Sequence, residues 1–268
     1  MAEAARGGHS QPLLVGAFAR DVWFWHVHGI ETARATEDID ITMEFPDWDG
    51  FTRFGGVLLD LGFTQPVPGH PEKLLDPQTG QKLDLLPFGR LSTDGRSIIW
   101  PADQTRWSIV GFEESFRSAA SLSVGAEAAV HIRIATLPAM VLLKMVAFYE
   151  RPLDRRRKDG SDIGFTLDNY LGAGNAGRLE DGRDVAIMDE VGGDLQRASA
   201  SLLGRDMGRL AGEATRGQIM DHMRQEVESP SRCPLTRELS HGIARGDFRR
   251  ARVLMRDLLA GIVEGADA

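Results

Sequence analysis

A chain of 268 residues with a formal net charge of −8 has room for two domains of ordinary size or one large one. Apolar residues make up 42% and charged residues 26%, which supplies a core, excludes a disordered chain, and argues against a protein coated in nucleic acid while leaving room for a local basic groove. The single cysteine, Cys233, excludes an internal disulfide and fits a reducing cytoplasm, and no apolar run approaches the roughly 18 residues needed to span a membrane.

Residues 1–11 are small and polar without a hydrophobic signal region, and read as a frayed tail. Leu13-Leu14-Val15 reads as a strand entering a turn at Gly16-Ala17. Residues 18–28 carry apolar side chains at helical and near-continuous spacing, which predicts a largely buried helix with Trp23, Phe24 and Trp25 in the core and Gly29 as its stop. Residues 30–37 form a polar loop. Residues 38–43 alternate, with Ile39, Ile41 and Met43 on one side and Asp38, Asp40 and Thr42 on the other, as in a strand with one apolar face. A second helix spans residues 47–61, with Asp47 as N-cap and Gly62 just past its end. Residues 72–75 and 81–86 flank Asp76-Pro77-Gln78-Thr79-Gly80, a hairpin signal.

Residues 131–134 read as a further strand, followed by a strongly apolar helix over residues 138–149, with Pro138 in its first turn. A basic segment of Arg151, Arg155, Arg156, Arg157 and Lys158 leads into a helix ending near Leu171. It is either an RNA-backbone contact or a solvated loop. Residues 172–193, rich in Gly and Asp, read as a surface connection. The remainder is helical, most clearly residues 248–263, where Phe248, Ala251, Met255, Leu258, Leu259 and Ile262 form one stripe. The order is a mixed α/β front half and an all-helical back half, an α/β (α+β) class.

The chemistry concentrates on Asp38 and Asp40. Two carboxylates at i and i+2 on a strand share a face and repel, by about 1 kcal/mol in water at about 4 Å and by several times more when partly desolvated. A divalent cation relieves that repulsion, and Mg²⁺ favours one or two protein carboxylates with substrate phosphates completing its shell. Asp84, in Lys82-Leu83-Asp84-Leu85-Leu86, offers a third acid if its strand lies beside the first. The turn at Gly16-Ala17 suits close approach of a phosphate, though such turns are common. Lys144 stands within an otherwise apolar helix, either snorkelling to solvent or holding a phosphate. Asp159 and Asp162 fall on one helix face; both fit an N-terminal cap, the favoured reading for Asp162, and Asp159 fits a catalytic role equally well. His26 and His28, at i and i+2 on a helix, do not make a metal pair. Cys233 beside Pro234 reads as an inert, semi-buried thiol.

Taken together, Val15-Gly16-Ala17-Phe18-Ala19-Arg20-Asp21 and Arg34-Ala35-Thr36-Glu37-Asp38-Ile39-Asp40, followed by Leu142-Leu143-Lys144-Met145 and Lys158-Asp159-Gly160-Ser161-Asp162-Ile163, resemble the DNA polymerase β-like nucleotidyltransferase superfamily. More narrowly they resemble the AbiEii-type, MenT-like toxins of type IV toxin–antitoxin systems. The resemblance covers roughly residues 12–171 and not the C-terminal helices. It implies a small mixed β-sheet nucleotidyltransferase core over residues 12–135 with flanking helices, and a helical C-terminal domain over residues 136–268 that contributes Lys144 and Asp159 to the active site. The implied activity is transfer of an NMP from an NTP to an acceptor hydroxyl with Mg²⁺ (or Mn²⁺). Asp38 and Asp40 would hold metal, with Asp84 reading as a third ligand or a base; Gly16, Ala17, Arg34, Thr36 and Lys144 would handle the triphosphate; Asp159 would complete the catalytic set. The implied acceptor is the tRNA 3′ end, reached through the basic segment, in a cytoplasmic, growth-inhibiting toxin with a cognate antitoxin. Two departures bear on substrate choice: Gly-Ala stands where many members have Gly-Ser, and the interval from Gly16 to Asp38 is longer than in minimal members. A protein or aminoglycoside-type acceptor, or a catalytically silent nucleotide-binding module, is the alternative.

Overall fold

The computed structural model describes residues 11–32, 36, 38–125, 130–229 and 231–267. The expected N-terminal tail therefore lies almost wholly outside the described residues, as does Arg34. The chain divides into two compact units, Met1–Val22 with Thr32–Thr136, and Trp23–Glu31 with Leu137–Ala268.

The first unit is a mixed sheet with helices. Its elements are β1 (Leu13–Val15), α1 (Gly16–Asp21), β2 (Asp38–Phe45), α2 (Trp48–Asp60), β3 (Lys73–Leu75), β4 (Lys82–Gly89), β5 (Ser97–Ile99), β6 (Arg106–Ser108), α3 (Phe112–Arg117), β7 (Ala120–Val124) and β8 (Val130–Ile134). Six strands run in the order β3-β4-β2-β1-β8-β7, and β5 pairs with β6 separately. β2 is antiparallel to β1 and parallel to β4, so the acid-bearing strand is interior. β3 and β4 form the expected hairpin, closed by Asp76, whose carboxylate accepts from the Gln78 amide and the Thr79 hydroxyl. Asp47 caps α2 as its position suggested, accepting from the Gly50 amide at 2.7 Å. The apolar face of β2 buries Ile41, Met43 and Phe45, and Phe45 meets Phe51 and Phe54 of α2 edge-on. That packing holds β2 rigid below its two acids.

The second unit is helical: α4 (Leu137–Glu150), α5 (Leu153–Asn169), α6 (Ala186–Glu190), α7 (Leu195–Leu210), α8 (Glu213–Glu228), α9 (Pro234–His241) and α10 (Phe248–Ala266). α7 and α10 meet through small residues on both sides. A Cβ on Gly204 would lie 2.3 Å from the Leu258 carbonyl oxygen, and one on Gly261 2.2 Å from that of Ser201. Gly208 and Gly265 repeat the arrangement one turn on, at 2.2 Å from the Ile262 oxygen and 2.0 Å from that of Arg205. Backbones this close admit no side chain. On α8, buried Glu226 accepts from the Leu235 and Thr236 amides at 2.9 and 3.1 Å, satisfying the start of α9, and from the Tyr149 hydroxyl of α4 at 3.2 Å.

Several expectations need correction. The segment after Gly16 is α1 followed by a π-helical stretch, Val22–Val27, and Trp25, His26 and Val27 are exposed; only Phe24 of the Trp23 to Trp25 run is buried, against Phe165. The wider π turn rotates the face that an α-helix would bury. α5 begins at Leu153, so the basic segment lies largely on its first two turns rather than in a loop. Asp159 and Asp162 are therefore mid-helix, which removes the capping reading for both. The connection at 172–193 is not merely a surface crossing: Arg178 pairs with buried Asp184 at 2.8 Å and with Asp206 at 2.6 Å, tying it to α7. Cys233 is fully rather than half buried. No helix among the described residues is long and apolar enough to cross a membrane.

Candidate active site

The sheet places its acids by register. Asp40 is the direct partner of Asp84 across β2 and β4, and of Val15 across β2 and β1. Asp38 and Asp40 share one face of β2 by strand alternation, and Asp84 joins that face because register partners point the same way. Asp38 is exposed, while Asp40 and Asp84 are half-buried. The turn between β1 and α1 reaches the same place. Gly16 has φ +72°, and a Cβ there would lie 2.0 Å from Asp40 Oδ2. Glycine is thus required twice at this position, by its left-handed backbone and by the carboxylate that fills the side-chain space. Gly16, expected to let a phosphate approach closely, has Asp40 as its immediate neighbour. Ala17 follows as the second residue of α1, half-buried.

Each flanking acid carries a lysine. Lys73 Nζ donates to Asp84 Oδ2 at 3.0 Å, and Lys82 Nζ lies 3.7 Å from Asp38 Oδ1. Partial burial would lower the Lys73 pKa, but the bond to Asp84 and its charge, with smaller help from Glu72 and Asp38, outweigh that and raise it. Neither lysine was singled out from sequence; their signal was the alternation of Lys73 and Lys82 with apolar strand residues beside an acid.

A second feature missed from sequence is the bond set around Asp21, at the end of α1. Arg20 donates to Asp21 Oδ1 from Nε at 2.9 Å and from Nη2 at 2.6 Å, and the Thr36 hydroxyl donates to Asp21 Oδ2 at 2.6 Å. Thr36, expected at a triphosphate, here donates its proton to Asp21, which ties this residue to α1.

Oxygen donors on one sheet face suit a hard divalent cation such as Mg²⁺ or Mn²⁺. Among the described residues no three His, Cys, Asp or Glu side chains gather closely enough to cage a metal by themselves. The donor set fits an ion held by two strand carboxylates, its shell filled by water and substrate oxygens, which is the usual Mg²⁺ arrangement. Asp38 and Asp40 fit that role directly. Asp84 stands beside Asp40 but shares one oxygen with Lys73. His26 is exposed and His28 stacks on Trp23, with ring centroids 6.2 Å apart.

In the helical unit, Lys144 of α4 meets Asp159 and Asp162 of α5. Its ammonium lies 2.9 Å from Asp159 Oδ1 and 3.1 Å from Asp162 Oδ2. Arg151 closes the far side of Asp159 at 2.9 Å. The Asp159 side chain is 1% exposed and that of Lys144 22%. Burial alone would lower the Lys144 pKa, but the two carboxylates raise it, so it stays charged. Lys144 is thus the shared cation of two buried acids rather than a free snorkel. α5 can approach here because Gly160 leaves room: a Cβ would lie 2.9 Å from Glu238 of α9 and 3.1 Å from Phe148 of α4. Within the basic segment Arg156 bonds the carbonyls of Arg151 and Tyr149, while Arg155, Arg157 and Lys158 are exposed.

No family model matches the chain, and a search of curated proteins finds no significant match.

Proposed function

We propose that this chain is a divalent-metal-dependent nucleotidyltransferase that moves an NMP group from an NTP to an acceptor hydroxyl and releases pyrophosphate. One observation carries the reading: Asp38 and Asp40 share a face of an interior strand, Asp84 is the register partner of Asp40, and the Gly16 turn abuts Asp40. Asp38 and Asp40 would hold the metal, which when bound supplies neutralisation of phosphate charge. Rigid placement of the acids on β2 does the rest, because in-line displacement at phosphorus needs mainly positioning and charge stabilisation. The acceptor oxygen bonds to the α-phosphorus as the bridge to the β-phosphate breaks, and the acceptor's proton passes to a carboxylate or water. Asp84 is suited to that proton, since strand register sets it beside Asp40.

The resemblance to AbiEii-type enzymes supports assigning Lys144 and Asp159 to the same chemistry, the tRNA 3′ end as acceptor, and a toxin role with an antitoxin. The exposed cations Arg155, Arg157 and Lys158 of α5 are consistent with a phosphate-backbone contact. The test is incubation with each labelled NTP, Mg²⁺, and either total tRNA or cell lysate. Label on tRNA supports the full reading. Label on protein or a small molecule keeps the activity and replaces the acceptor. NTP bound without transfer in any fraction overturns the enzymatic reading.

A further inference from the structure

Lys73, Asp84 and Asp40 form one row across β3, β4 and β2, and the next row on that face holds Asp38 beside Lys82. The lysines belong to the sheet itself, so they are not loop side chains that reach the acids by chance. Lys73 is bonded to Asp84 at 3.0 Å, and Lys82 stands 3.7 Å from Asp38. Both remain partly exposed, at 41% and 55% of the side chain, so both have room to turn outward. Among the described residues three carboxylates and two ammoniums share this face, so the lysines offset two of the three acid charges without metal. A bare divalent cation entering it meets two resident positive charges. A triphosphate entering it offers those ammoniums new oxygen partners.

We infer that Lys73 and Lys82 are resident counter-ions that hold bare divalent cations off this acid set and transfer to substrate phosphate oxygens when a triphosphate arrives. The inference rests on the nucleotidyltransferase reading of Asp38 and Asp40. It makes the lysines phosphate ligands of the loaded site and makes loading with metal depend on triphosphate. Removing them has opposite effects on two ligands: Mn²⁺ binds more tightly and triphosphate less tightly. A lysine that merely supports the sheet would, on removal, weaken both.

The test titrates Mn²⁺, followed by its electron paramagnetic resonance signal, into wild type, Lys73→Met, Lys82→Met and the double variant, with Lys73→Arg as the variant that keeps the charge. Tripolyphosphate in EDTA, followed by calorimetry, probes the phosphate side without metal. Circular dichroism establishes that each variant is folded. The double variant is expected to bind Mn²⁺ about tenfold more tightly and tripolyphosphate at least about fivefold more weakly, with Lys73→Arg close to wild type. Mn²⁺ binding that is unchanged or weaker in the double variant overturns the inference, and so does unchanged tripolyphosphate binding. Asp40→Asn separates this from the underlying reading. If it abolishes Mn²⁺ binding while the lysine variants shift nothing, the inference falls and the metal assignment stands. If Mn²⁺ binds equally well without Asp40, or to none of the proteins, both fall.

Discussion

Replacing Lys144 by Met removes the one cation shared by two buried carboxylates. Asp159 keeps Arg151, but that guanidinium is 52% exposed and screened by water. Asp162, with 7% of its side chain exposed, loses the ammonium 3.1 Å away. Breaking a buried ion pair from one side costs about 3–5 kcal/mol, because the remaining charge stays desolvated. Both acids lose the ammonium they share, so the middle of that range, about 4 kcal/mol at pH 7, is expected. The pH dependence has a definite sign. In wild type the raised Lys144 pKa contributes stability that is full below its unfolded value of 10.5 and is lost as pH rises through the higher folded value. Tyr149 and Tyr170, whose pKa values are also raised, titrate with the same sign but are common to both proteins. Urea unfolding at pH 7 measures the loss, and unfolding above pH 10.5 follows the wild-type contribution as it disappears. A loss under about 1 kcal/mol at pH 7, or a difference between the two proteins that widens above pH 10.5, refutes this.

Further outcomes follow from the same geometry. Gly16→Ala is expected to lose about 2–4 kcal/mol in chemical unfolding, combining left-handed strain with collision against Asp40, and to abolish any metal binding seen in wild type. Gly204→Val, which must displace the Leu258 carbonyl of α10, is expected to lower stability by at least about 3 kcal/mol; an unchanged midpoint would show that α7 and α10 do not approach as described. Glu226→Ala strands the Leu235 and Thr236 amides and is expected to cost about 3 kcal/mol, with amide exchange speeding first at those two positions. Trp25→Ser, at a side chain half-exposed on the π-helical stretch, is expected to change stability by less than about 0.5 kcal/mol.

Much of this was legible because the signals were local. Period-two alternation marked β2, and Asp47 followed by an apolar periodic run marked α2 and its cap. The Pro and Gly turn marked the β3–β4 hairpin, whose second strand carries Asp84. Where the reading failed, a longer-range or less common backbone decided. Nothing in residues 22–27 announces a π-helical turn, so Trp25 was placed inside when it faces water. Lys158-Asp159 resembles a helix start, but the helix begins after Pro152 at Leu153, five residues before Lys158, and Asp159 becomes a buried mid-helix acid. The glycines of α7 and α10 carry meaning only once the two helices are known to touch. Lys73 and Lys82 looked like ordinary strand lysines until register set them against the acids, and Thr36 could not be matched to Asp21 across a 15-residue separation.

The central claim is that Asp38 and Asp40 form a metal-dependent nucleotide-transfer site. The most direct test compares wild type with Asp40→Asn for incorporation of α-labelled NTP into tRNA or lysate in the presence of Mg²⁺. Asparagine keeps the shape beside Gly16 and removes the charge. The account predicts incorporation by wild type that EDTA abolishes, and a loss of at least about 100-fold in Asp40→Asn. Equal incorporation by the two proteins would contradict it.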